Sequence, residues 1–206
     1  MIIKVCGMKH ANNILALDTL QLADWMGFIF YPKSPRYVDS LPSYMPRHSK
    51  RVGVFVNEQP EGIIQRRQEF GLDIVQLHGN ESPDYCLALH RMLGPVPLIK
   101  AIPISSKTDL LRAEAYTGVA DYLLFETKSQ NYGGSGCQFD WDILQDYSGP
   151  TPFLITGGIG PDDINQVKNF NHTHCIGFDL NSRFETAPAI KDILALATFI
   201  NSLKNL

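Results

Sequence analysis

At 206 residues, with 44% hydrophobic and 19% charged side chains and a net charge of -3, the chain has the composition of an ordinary globular protein with one buried core. Its cations are scattered in pairs such as Arg66-Arg67 and Lys50-Arg51 and no apolar run nears the roughly 18 residues that span a bilayer, which argues against nucleic-acid and membrane partners. Cys6, Cys86, Cys137 and Cys175 form no C-x-x-C pair and the N-terminus has no secretory pattern, so a soluble, cytoplasmic chain without zinc ribbon or disulfide framework is expected.

In chain order, short apolar and β-branched runs at 2–6, 25–30, 51–56, 74–77, 98–102, 122–125, 153–155 and 176–178 predict strands. Most are continuously apolar, as strands covered on both faces by crossover helices are. Helical spacing falls between them at 12–22, 59–70, 83–93 and 163–170, and closes the chain at 190–203. Asn57 and Ser82 are candidate N-caps, and Pro60, Pro83 and Pro161 sit near first-turn positions where a missing N–H costs little. Two stretches, 31–46 and 128–138, are irregular, and each comes directly after a strand.

Eight alternating units in so short a chain favour closure over an open doubly wound sheet, which more often has five or six strands. The expected architecture is α/β: a single-domain (β/α)8 TIM barrel over residues 1–206. In such barrels chemistry gathers at the carboxyl ends of the strands. The chemistry-bearing residues at those ends are Cys6, Arg36, Asn57, His78, Glu126, the Gly157-Gly158-Ile159-Gly160 turn and Asp179 to Ser182. Glycines let backbone N–H groups approach an anion closely, so Gly157, Gly158, Asn181 and Ser182, after the last two strands, are the expected phosphate site. The His172, His174, Cys175 group precedes the eighth strand, at the barrel's other end, and is not read as a metal site.

Several blocks then coincide in order: Lys4-Val5-Cys6-Gly7-Met8, Gly27-Phe28-Ile29-Phe30, Lys33-Ser34-Pro35-Arg36-Tyr37-Val38, Gln76-Leu77-His78-Gly79, Gly133-Gly134-Ser135-Gly136, Phe139-Asp140-Trp141 and Gly177-Phe178-Asp179-Leu180-Asn181-Ser182. Together they resemble the phosphoribosylanthranilate isomerases of tryptophan biosynthesis over nearly the full chain. The resemblance implies an Amadori rearrangement of N-(5-phosphoribosyl)anthranilate without cofactor or metal. It implies Cys6 as base, Glu126 as acid, Arg36 on the anthranilate carboxylate and Asp179 near the ribose hydroxyls; His78, at the end of the fourth strand, is counted with the substrate-binding residues. The family has aspartate where this chain has Glu126, and the additional methylene displaces the carboxyl by roughly 1 Å. That departure keeps a second reading open, a non-catalytic or altered-specificity sugar-phosphate-binding barrel. A third, the histidine-pathway isomerase with paired aspartates, fits Cys6 poorly.

Overall fold

A computed structural model of the chain describes residues 1–127 and 140–204. Eight parallel strands close into a barrel in sequence order: β1 (Ile2–Val5), β2 (Trp25–Ile29), β3 (Lys50–Phe55), β4 (Ile74–Leu77), β5 (Leu98–Ile104), β6 (Tyr122–Thr127), β7 (Phe153–Ile155) and β8 (Cys175–Leu180). All eight expected strands form, β4 and β7 at the expected bounds. Helices α1 (Ala11–Thr19), α2 (Pro60–Phe70), α3 (Pro83–Leu93), α4 (Lys107–Glu114) and α5 (Ile164–Asn169) lie between strands, and α6 (Ile193–Lys204) comes after β8. Among the described residues no helix is long and apolar enough to cross a membrane.

Strand alternation divides the core in two. Leu123 and Phe125 face the helices, whereas Leu124 points inward to join Trp25, Val52, Ile74, Ile99, Ala101 and Leu154 as a plug inside the barrel. Two residues further along the same inward rows, Gln76, Glu126 and Thr156 succeed Ile74, Leu124 and Leu154, so the plug forms the floor of whatever binds at the carboxyl ends.

β8 breaks this alternation. Phe153 pairs with Cys175 but Leu154 pairs with Gly177, so Ile176 is an extra residue in a bulge. The bulge resets the strand's phase: Phe178 turns outward onto Trp141 and Phe170, and Asp179 turns inward. It also brings Gly177 against β1, where it pairs with Ile2.

Several local expectations are corrected. Asn57 does not cap α2. Its backbone has φ +50°, its amide donates to Glu81 Oε1 (2.8 Å) and its side chain accepts from Asn80 N (2.7 Å), which leaves Gln59 in the cap position. Ser82 does cap α3, accepting from Tyr85 N at 3.2 Å. Pro161 opens a 3-10 turn, Pro161–Asp163, before α5. The expected closing helix at 190–203 begins late, because Ile190–Lys191 forms β10, antiparallel to β9 (Glu185–Ala187). Asn13 holds Lys191 extended through its amide and carbonyl, and Asp192 then accepts from Ala195 N as the cap of α6. The short α4 had no predicted counterpart. It is fastened by Asp109, whose carboxylate accepts from the amides of Ser105 and Ser106.

Asp18 ties the proline-rich segment to α1. Its buried carboxylate accepts from the Tyr44 hydroxyl (2.7 Å) and the amides of Arg47 (2.9 Å) and His48 (3.1 Å). Burial pushes this carboxyl up, but the Arg47 amide, the Tyr44 hydroxyl and His48 outweigh it and hold the pKa at about 2. The folded value lies below the unfolded one of about 3.9, so the stabilisation is complete above that value and fades as pH falls towards 2. Asp18→Asn should therefore destabilise by about 1–2 kcal/mol at neutral pH, after allowance for screening at the rim. Urea denaturation should show that difference shrinking below about pH 4; a difference that does not vary with pH would refute the assignment.

Candidate active site

The nine residues singled out in the sequence line one cavity at the carboxyl ends of the strands: Cys6, Arg36, His78, Glu126, Gly157, Gly158, Asp179, Asn181 and Ser182. They come from both sides of the barrel, Cys6 just beyond β1 and Glu126 from β6. The glycine-rich segment 133–136 lies outside the described residues.

Cys6 is almost fully buried, its amide bonded to Leu180 O at 2.9 Å. Burial pushes its thiol above the ordinary range, opposed chiefly by the cations of Lys4 and Lys191. Lys4 lies two residues before Cys6 on the same inward row, wholly buried, with its Nζ 2.8 Å from Asp179 Oδ2. Burial works against its charge, yet Asp179 and Cys6 together hold its pKa above the usual lysine value, so it remains a cation. The second Asp179 oxygen, Oδ1, is buried without a hydrogen-bond partner among the described residues. An unpaired carboxylate oxygen on a cavity wall is an acceptor awaiting a hydroxyl.

Glu126 Oε2 stands 2.7 Å from His78 Nε2, and Gln76 Nε2 is 3.0 Å from His78 Nδ1. Burial raises the Glu126 carboxyl, but the imidazole beside it and then Lys100 bring it below the ordinary glutamate value. Lys100, buried in β5, supports the loop carrying His78: its Nζ donates to Gly79 O (2.8 Å) and to Glu81 Oε2 (2.9 Å). The Glu81 carboxylate in turn accepts from the amides of Asn57 and Gly79.

Arg36 is already engaged. Its Nε and Nη2 form a two-pronged contact with Glu185 at 2.6–3.1 Å, and Nη1 takes no part in it. Lys191, buried in β10, joins the same carboxylate at 2.6 Å and donates to Asn181 Oδ1 at 2.7 Å. Lys100, Glu185 and Lys191 had no place in the sequence reading, and Lys4 entered it as part of a resembling block with no role of its own. One signal was present: Lys4 and Cys6 are separated by two in a strand and therefore share a face.

Gly157 and Gly158 have φ of +97° and +69°, a left-handed pair open to glycine, and a Cβ on Gly157 would meet Thr127 Oγ1 at 2.7 Å.

The family profile for N-(5'phosphoribosyl)anthranilate (PRA) isomerase matches residues 3–202. An N-(5'-phosphoribosyl)anthranilate isomerase of Phocaeicola vulgatus is 51% identical, covering 99% of this chain and 98% of its own. One from Parabacteroides distasonis is 44% identical, covering 98% and 93%. The crystal structure of the phosphoribosyl anthranilate isomerase from Thermotoga maritima superposes with a TM-score of 0.85 at 32% identity over the whole of both chains. A phosphoribosyl anthranilate isomerase in complex with reduced 1-(o-carboxyphenylamino)-1-deoxyribulose 5-phosphate superposes at 0.80 with 29% identity, again over both whole chains. With a matching profile, full-length relatives and a shared closed barrel, the chain belongs to the N-(5'-phosphoribosyl)anthranilate isomerase family.

Proposed function

We propose that the cavity is where this isomerase converts N-(5'-phosphoribosyl)anthranilate to the open-chain 1-(2-carboxyphenylamino)-1-deoxyribulose 5-phosphate, with Cys6 as base and Glu126 as acid. The observation that carries the assignment is that a thiol from β1 and a carboxyl from β6 face one cavity that also holds Arg36 and Asp179.

The rearrangement needs few groups. A proton delivered to the furanose oxygen lets the C1–O bond open as the anthranilate nitrogen's lone pair forms the C1=N bond. A base then removes the C2 proton, and the enolamine collapses to the ketone as C1 gains a proton. C1 is reduced while C2 is oxidised, so one acid and one base suffice, each contributing roughly 10²–10⁴-fold. Glu126 serves the ring oxygen. Cys6, as thiolate, takes the C2 proton. Asp179 Oδ1, lacking a protein partner among the described residues, accepts from a ribose hydroxyl. Arg36 Nη1 meets the anthranilate carboxylate, and Gly157, Gly158, Asn181 and Ser182 hold the phosphate.

Glu126 bears directly on the competing reading of a barrel that binds without turning over. Its longer side chain reaches His78 at 2.7 Å, and an aspartate there would draw the carboxyl back by roughly 1 Å. In a stopped assay tracking loss of anthranilate-type fluorescence from freshly made substrate, native protein should turn over. Glu126→Gln should lose at least about 10²-fold in kcat and Glu126→Asp roughly 10-fold or more. Glu126→Gln within threefold of native would remove Glu126 from the acid role.

A further inference from the structure

We propose that the acid of this site is a pair, with His78 storing the proton that Glu126 delivers to the substrate; this rests on the assignment of Glu126 as acid. The geometry points to it first. His78 Nε2 and Glu126 Oε2 are 2.7 Å apart, a short contact between groups both turned into the cavity. The other ring nitrogen, Nδ1, faces Gln76 Nε2 at 3.0 Å, and the rest of that carboxamide is uncommitted: buried Gln76 Oε1 has no partner among the described residues. A primary amide can serve either charge state of an imidazole. With Nε2 forward it donates to a ring whose proton is on Nε2; turned over, it presents Oε1 to the Nδ1–H of an imidazolium, and equally to the Nδ1–H that remains once Nε2 has given up its proton. Because no other hydrogen bond among the described residues fixes that amide, the exchange breaks none. Turned over, Gln76 therefore holds Nδ1–H on both sides of the transfer.

The surrounding charges act in both directions. Burial and the cations Lys100 on β5 and Lys4 on β1 disfavour imidazolium, while Glu126 on β6 favours it and outweighs them, so the His78 pKa lies above its ordinary value. Asp179 on β8 also senses His78, and Glu81 lies just beyond it in the loop, paired to Lys100. Glu126 correspondingly lies below its ordinary value, which favours the histidine as the resting seat of the pair's proton. A lone carboxylate in that state has nothing to donate. The neighbouring ring resolves this: His78 passes its Nε2 proton to Glu126, which gives it to the ring oxygen as the C1–O bond breaks. Cys6 thiolate takes the C2 proton and returns it to C1. The proton released from the 2-hydroxyl as the ketone forms goes back to the pair, and the cycle closes without net proton gain.

Two measurements test this. Side-chain 15N spectra of native protein should show His78 protonated on both nitrogens at neutral pH, with Glu126→Gln lowering its titration by at least about one unit. In His78→Asn, Glu126 must hold its own proton, so the alkaline limb of the kcat profile should move down by at least about one unit. Relative to native at the same pH, its kcat should be about 10²-fold lower at mildly alkaline pH and approach native towards acid pH, with KM within about threefold. A neutral His78 ring in native protein, or a His78→Asn loss that is uniform across pH, overturns the shared proton. Glu126→Gln that retains activity overturns the underlying acid assignment instead, so the two failures are separable.

Discussion

Cys6→Ala is expected to lower kcat by about 10³-fold or more while leaving KM within about threefold and the barrel folded. The thiol sits where no other described side chain can take its place: Lys4 beside it is committed to Asp179, and Glu126 enters from the far side on β6. Cys6→Ser should be nearly as inactive, because a serine hydroxyl does not ionise in the accessible range. The pH dependence has a definite sign. Burial holds the thiol above the ordinary range despite Lys4 and Lys191, so the thiolate grows with rising pH, and the acid limb of the native profile should lie above the ordinary cysteine value of about 8.5. Initial rates with native, Ala and Ser proteins across that range settle the matter. If the Ala protein kept a tenth of native kcat, another group would have to be the base.

Gly177→Ala is expected to cost about 3 kcal/mol or more and lower Tm by roughly 10 °C. Barrel closure is the reason. The β8 bulge presses Gly177 so close to β1 that an added Cβ would lie 1.9 Å from the Ile2 carbonyl oxygen and 2.7 Å from its carbon. Those are backbone atoms inside a parallel ladder, and they can withdraw only by opening the seam between the first and last strands. The same movement would shift Asp179 away from Lys4, so residual folded protein should also show a raised KM. Thermal denaturation monitored by far-ultraviolet circular dichroism measures the first effect; a Tm within a degree or so of native would show that the seam yields easily.

The barrel was legible because continuous apolar runs have one physical meaning when they alternate with amphipathic helices, and each expected strand lies within a residue or two of its place. The residues that line the cavity were legible as a ring at the strand ends. What lay beyond reading was what holds them. Lys4 and Lys100 sit in strands whose neighbours are apolar, where lysine ordinarily reaches to water, and only the three-dimensional partners Asp179 and Glu81 explain their burial. Asp179 faces the cavity through a one-residue bulge that no alternation rule anticipates. Ile190 and Lys191 continue the apolar period of α6 in sequence, yet Asn13, distant in the chain, draws them into a strand.

Glu185 joins segments that a designer would treat as separate. It grips Arg36 from the loop after β2 and Lys191 from the hairpin after β8, and Lys191 continues to Asn181 at the expected phosphate end. The Arg36 end and the Asn181 end of the cavity are therefore one mechanical unit. Refitting this barrel to a substrate without the carboxylate by changing Arg36 alone would deprive buried Glu185 of its two-pronged partner, leave it leaning on Lys191, and so disturb the lysine that holds Asn181. Positions 36, 185 and 191 form a block to be varied together in any library, because the effects of single replacements there will not add.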